Sequence, residues 1–204
     1  VFLGIGGSYL GNKVLFDVFA GSSWNVGCEK SRQGYPRIYF SGNNLDVDQY
    51  HEIVSELEYL AQHRLGKEEQ FRVLLVPISK SGTTLETLAA FTYFYEQCQK
   101  SSLLQLEVAV VTDLAEGASP LCSLAKERSW PCFDIKEGIG GRFCIFSDPG
   151  LITAAAIGMD IDAFLLGAKD MEMACRSASL EENPALLNAA LKYTAAENGL
   201  DIEV

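Results

Sequence analysis

The chain has 204 residues, 48% of them hydrophobic and 21% charged, enough to bury the core of one α/β domain. Its formal net charge of −11 excludes a broad nucleic-acid partner, which calls for a basic footprint, but leaves room for one phosphorylated ligand held by a few aimed donors. No stretch reaches the roughly 20 apolar residues of a membrane span, and the opening run has neither the basic flank nor the cleavage site of a signal peptide.

Strand-like and helix-like segments alternate along the chain. Residues 1–5 form an apolar run closed by glycines, and residues 12–20 place Val14, Leu15, Val18 and Phe19 at helical spacing. A second strand is expected over 37–40. Residues 46–62 carry Val47, Tyr50, Ile53, Val54, Leu57 and Leu60 on one stripe, the pattern of an amphipathic helix. The run 72–78 shows no polar alternation, as befits a parallel strand covered on both faces. A helix over 84–98 and a strand over 106–112 follow. Ser119-Pro120 is a helix start, with Ser to accept the first free N–H groups and Pro at a position that has none to lose. That helix ends near Arg128, and 131–135 supplies a fifth strand. Beyond the glycines of 138–141 the pattern turns helical, over 151–157 after Asp148-Pro149, then 161–177, then 184–198 stopped by Gly199.

Strands separated by helices predict an α/β fold, a doubly wound, mainly parallel five-stranded sheet flanked by helices in a flavodoxin-like three-layer sandwich. A single domain over 1–204 is expected. The chain opens directly on a strand, and 201–204 reads as a strand that stops at once, so truncation at both ends from a longer chain is expected as well. Cys28, Cys98, Cys122, Cys132, Cys144 and Cys175 form no CxxC pair and have no neighbouring histidine, so zinc spacing is absent. Without a secretory signal they read as free thiols of a cytoplasmic protein. His51 and His63 read as surface residues.

In open α/β sheets ligands bind beyond the carboxyl ends of the strands, and three strand exits here have unusual composition. The first, Gly4-Ile5-Gly6-Gly7-Ser8-Tyr9-Leu10-Gly11, fails the dinucleotide fingerprint at Tyr9 and the P-loop pattern at Asn12. By itself it is equally a tight strand–helix connection. The second, Ser79-Lys80-Ser81-Gly82-Thr83-Thr84, gathers four hydroxyls and a lysine at the positive end of a helix dipole. A phosphate monoester needs such donors, whereas one hydroxyl suffices to cap a helix. The third, Gly138-Ile139-Gly140-Gly141-Arg142-Phe143, presents an arginine on a flexible glycine turn, suited to developing negative charge or simply a surface residue.

Together the three exits resemble the glucose-6-phosphate isomerase family in residues, order and separation, a likeness that continues to Asn183-Pro184-Ala185-Leu186-Leu187. The second loop alone marks the wider group of sugar-isomerase (SIS) domains. The resemblance implies aldose–ketose isomerisation of glucose 6-phosphate and fructose 6-phosphate without metal or other cofactor, by a full-length homodimer that binds neither nucleic acid nor membrane. It assigns the substrate phosphate to Ser79, Lys80, Ser81 and Thr84, and the sugar to Gly7, Ser8 and Gly141. It gives Arg142 the catalytic stabilisation of the enediolate, and Glu86 a supporting place behind the phosphate loop. Asn12 stands where many members have proline, and Cys144 where serine is usual. The family's catalytic glutamate, ring-opening histidine and a C-terminal lysine fall downstream of Val204, so the fragment alone is expected to be inactive. The alternative is a non-catalytic SIS-type regulatory module that senses phosphosugars; an isomerase for an amino sugar or a pentose phosphate is a further one.

Overall fold

A computed structural model describes residues 1–63, 71–200 and 202. Its strands are β1 (Phe2–Leu3), β2 (Phe40–Ser41), β3 (Phe71–Pro77), β4 (Leu104–Val108), β5 (Val110–Thr112) and β6 (Cys132–Asp134). Four run side by side in the order β2-β1-β3-β4 and β5 pairs with β6, all parallel. The two ladders meet where Ile78 bridges Val111 and the Ser79 N–H donates to the Val111 carbonyl at 3.0 Å. The class is α/β, a parallel sheet flanked by helices.

The run expected as one strand over 106–112 begins at Leu104 and divides at Ala109, because the chain changes neighbour there. The Ala109 N–H still donates to the Leu75 carbonyl at 3.0 Å, whereas the Val110 N–H donates to the Pro131 carbonyl at 2.8 Å and pairing continues along β6. The strand β3 also departs from expectation. Val73 and Leu75 face one core and Val76 and Ile78 the other, but Arg72 and Leu74 are exposed. Only the carboxyl half of β3 is covered on both faces, which is the half that leads to the ligand edge. Of the terminal strand expected over 201–204, residues 201, 203 and 204 lie outside the described residues.

The chain forms two compact units, Val1–Met159 and Asp160–Val204. In the first, α2 (Val47–Gln62), α3 (Leu85–Lys100) and α4 (Pro120–Arg128) cover one face of the sheet. Tyr50, Ile53 and Leu57 meet Ala90, Phe91 and Phe94 over Leu3, Leu75 and Val110. On the opposite face α1 (Gly7–Phe19) and α5 (Asp148–Ala156) bring Phe16 and Ile157 against Phe2, Val76, Ile78 and Val111. Each such buried side chain contributes about 1.5–3 kcal/mol relative to exposure. The second unit holds α6 (Ile161–Ala174) and α7 (Pro184–Glu197). There Asn183 accepts from the Ala185 and Leu186 N–H groups and donates to the Cys175 and Ser177 carbonyls, both at 2.8 Å. One buried amide thus caps α7 and fixes the connection that precedes it.

All six cysteines are free thiols, three of them buried. His51 and His63 are exposed on and just after α2. No helix among the described residues is long and apolar enough to cross a membrane.

Candidate functional site

Because β1, β3 and β6 are parallel, their carboxyl ends share one edge, and the three unusual loops leave from it. A cavity of about 470 Å³ opens there. It is lined by Gly7 and Ser8 from the first loop, Ser79, Lys80, Ser81 and Thr84 from the second, and Gly141 from the third. Asp113, Ala118 and Thr87 complete much of the wall.

The second loop supplies most of the donors. Ser79 is buried at the exit of β3, and its Oγ accepts from the Gly82 N–H at 3.2 Å and pairs with Thr84 Oγ1 at 2.9 Å. Thr84 is the N-cap of α3, yet its hydroxyl makes no capping bond, being committed to Ser79. The Leu85, Glu86 and Thr87 N–H groups therefore remain for solvent or a ligand at the positive end of a 16-residue helix. In α1 the N-cap is Gly6, which has no side chain to offer. By contrast Asp46 and Ser119 close α2 and α4 with side-chain hydrogen bonds. Of the two helices that begin at the cavity, α3 keeps an open end, the arrangement that suits an anion, whereas in α1 the Ser8 and Tyr9 N–H groups donate to the Ile5 and Gly6 carbonyls at 3.2 and 3.0 Å. Thr87, one turn into α3, has a buried Oγ1 without a hydrogen-bond partner.

Gly82 shows why this loop needs glycine. Its φ is +65°, and a Cβ there would stand 2.0 Å from Ser119 Oγ. The loop is packed onto the start of α4 and joined to it by a chain of hydroxyls. The Cys122 N–H donates to Ser119 Oγ at 3.3 Å, Ser119 Oγ lies 2.6 Å from Thr112 Oγ1, and Thr112 Oγ1 donates to the Ser79 carbonyl at 2.7 Å. Only one proton order satisfies every link, with Ser119 donating to Thr112. Sequence reading found Ser119 as a helix start, but gave no signal that Thr112 ties that start to the phosphate loop.

The third exit differs from the flexible turn expected of it. Gly141–Phe146 is a short 3-10 helix, with Arg142 at its second position. Gly141 lies so close to Gly7 that a Cβ on Gly7 would approach the Gly141 carbonyl carbon to 2.1 Å. The buried Cys144 thiol reinforces the junction by donating to the Gly141 carbonyl at 2.9 Å and reaching the Gly7 carbonyl at 3.6 Å. Burial pushes that thiol's pKa up, so it remains a neutral donor. On the far side of the Gly7–Gly141 contact lies a second hollow of about 540 Å³, lined by Gly6, Leu10, Gly11, Arg142 and Ile145. The exposed Arg142 thus opens on this neighbouring hollow, not among the residues that line the phosphate-loop cavity.

Lys80 and Glu86 flank the start of α3 differently. Lys80 lines the cavity, but its ammonium donates to the Ile139 carbonyl at 3.2 Å. Glu86 is in the first turn of α3 and lines neither hollow. Asp113 was not anticipated at the site. Its N–H donates to the Lys80 carbonyl at 3.2 Å and its Oδ1 accepts from the Ala115 N–H at 2.9 Å, which places a carboxylate beside the phosphate loop. Asn12 is buried and donates to the Ser8 carbonyl at 2.9 Å, which ties the second turn of α1 to its first.

Comparison with known proteins gives a consistent picture. The family model described as phosphoglucose isomerase matches residues 1–202. The chain is 33% identical over 205 residues to the glucose-6-phosphate isomerase of Clostridioides difficile (strain 630), covering 99% of this chain and 42% of that protein. It is 35% identical over 204 residues to the glucose-6-phosphate isomerase of Acetivibrio thermocellus, covering 98% and 41% respectively. A crystal structure of a hypothetical protein from Thermus thermophilus superposes with a TM-score of 0.74 at 27% identity, over 96% of this chain and 41% of that one. The chain therefore spans about two fifths of the length of the relatives it matches.

Proposed function

We propose, from the premise that the chain belongs to the phosphoglucose isomerase family, that it carries the sugar-phosphate-binding part of a glucose-6-phosphate isomerase acting in glycolysis and gluconeogenesis. Residues 1–204 would act within one SIS-type domain of a longer protein, a reading supported by the single family model that runs through both units. The observation that carries the proposal is the open start of α3. Thr84 is engaged by Ser79 instead of capping its own helix, so unpaired N–H groups and the Ser79, Ser81 and Thr84 hydroxyls converge on one cavity. A phosphate dianion supplies the acceptors that this set of donors lacks.

With the phosphate held there, the sugar would extend past Gly7, Ser8 and Gly141 toward Arg142. Isomerisation transfers a proton from C2 to C1, and a hydroxyl proton from O2 to O1, through an enediolate. Arg142 would stabilise the enediolate oxygens as negative charge develops, from its place beyond the Gly7–Gly141 contact. The cavity also contains a carboxylate, Asp113, whose N–H donates to the Lys80 carbonyl beside the proposed phosphate loop. The family resemblance implies that the proton-transferring base is a glutamate supplied by downstream sequence, so the chain alone would bind sugar phosphates without turning them over.

Calorimetric titration of this chain with fructose 6-phosphate tests the reading. Binding is expected, and the double change Ser79→Ala/Ser81→Ala should abolish it while the fold, followed by circular dichroism, persists. A folded chain that binds no sugar phosphate, or a double variant that binds as well as the parent, defeats the proposal.

A further inference from the structure

We infer that Lys80 is a positioning residue that latches the Arg142 helix turn to the phosphate loop. Its backbone is fixed first. The Lys80 carbonyl accepts from the Asp113 N–H at 3.2 Å, which ties the base of the side chain to the end of β5. From this anchored point the side chain crosses the edge of the sheet, and its ammonium donates to the Ile139 carbonyl at 3.2 Å. A hydrogen bond from a charged donor is stronger than its neutral counterpart, and the half-buried setting shields it from water.

The acceptor lies in a segment with little regular structure of its own. Gly138 has a φ of +83°, the Ile139 N–H closes a turn onto the Lys136 carbonyl at 3.2 Å, and Gly140 and Gly141 lead into the short helix bearing Arg142. Glycines make this stretch costly to order, since an unrestrained glycine samples more backbone states than any other residue. Two tethers bracket the arginine: Lys80 holds Ile139 before it, and the Cys144 thiol joins Gly141 and Gly7 after it. The first tether leads back to the loop that carries Ser79 and Thr84, so the loop that receives the phosphate and the turn that bears the arginine form one mechanical unit. The four-carbon stem of Lys80 spans the gap between loops from strands that are not sequence neighbours. The importance of the latch for chemistry rests on the role proposed above for Arg142, but the latch itself does not.

Hydrogen–deuterium exchange of this chain, parent beside Lys80→Met, tests it. The methionine keeps the stem and removes the donor. Exchange over residues 139–143 is expected to quicken by about fivefold or more, because it reports local opening, while amides of β3 and α3 keep their parent rates. Parent-like exchange over 139–143 in the variant overturns the latch. A titration with fructose 6-phosphate separates the latch from a direct phosphate contact. Affinity within about threefold of the parent supports a positioning role, whereas a loss of about tenfold or more (about 1.4 kcal/mol) with unchanged exchange makes Lys80 a phosphate ligand and overturns the inference. A parent chain that binds no sugar phosphate defeats the functional reading, while the exchange result still decides the latch. Should the methionine variant fail to fold, Lys80→Gln, whose amide ends on a shorter stem, is expected to show the same quickened exchange.

Discussion

Thr112→Val puts the hydroxyl chain beneath the phosphate loop to the test. Valine matches threonine in shape, so the change creates no cavity and removes only the oxygen. In the parent, Thr112 is fully buried, and Ser119 and Ser79 are 2% and 3% exposed, so water cannot replace what is lost. The Ser79 carbonyl keeps one donor, the Gly82 N–H at 3.2 Å. The Ser119 hydroxyl proton, by contrast, loses the acceptor it had at 2.6 Å and is stranded in the interior. One orphaned buried donor costs about 1–3 kcal/mol. For a chain of this size that lowers Tm by about 2–4 °C per kcal/mol. Urea denaturation at constant slope provides the free energy directly, with Thr112→Ser, which retains the oxygen, as the control. The double variant Thr112→Val/Ser119→Ala should cost less than the two single changes together, because the stranded donor is then gone too. A valine variant as stable as the serine one, or a double variant additive to within about 0.5 kcal/mol, would refute the proton order assigned to this chain.

Two other predictions concern different levels of the structure. Gly7→Ala drives a methyl group into the backbone of Gly141 and Arg142, so the arginine turn must shift; a stability loss of about 1–3 kcal/mol and weakened fructose 6-phosphate binding are expected by urea denaturation and calorimetry, and parent-like values in both would show that the two loops are not in contact. Burial, aided by Glu58, pushes the Cys98 thiol up from 9.0 to about 11. The sign follows from linkage: below the unfolded-state value both states are protonated, whereas between pH 9.0 and about 11 the unfolded chain ionises first, so stability falls as pH rises. The loss over that window is about 2–3 kcal/mol, and urea midpoints taken across it should fall for the parent and markedly less for Cys98→Ala; equal slopes would refute it.

Much of this protein is local enough to be legible in the sequence. The Ser119 cap, the proline starts at Pro120 and Pro149, and the stripe of Tyr50, Ile53 and Leu57 act within one turn of the chain or along one helix face, so order of residues suffices to find them. The parallel sheet then brings the exits of β1, β3 and β6 to one edge, which is why Gly7, Ser8, Ser79, Lys80, Ser81, Thr84 and Gly141 line one cavity. What the sequence could not determine is where each polar end finds its partner. Lys80 has a long stem and reaches Ile139; Arg142 opens on the hollow beyond the Gly7–Gly141 contact; Thr112 serves as the link between Ser79 and Ser119; and the fourth strand path breaks at Ala109 because its neighbour changes from β3 to β6. Each of those outcomes depends on groups brought close only by packing of distant segments. Periodicity and caps specify the backbone, whereas hydrogen-bond partners at a loop edge are decided by which atoms the tertiary structure leaves within about 3 Å.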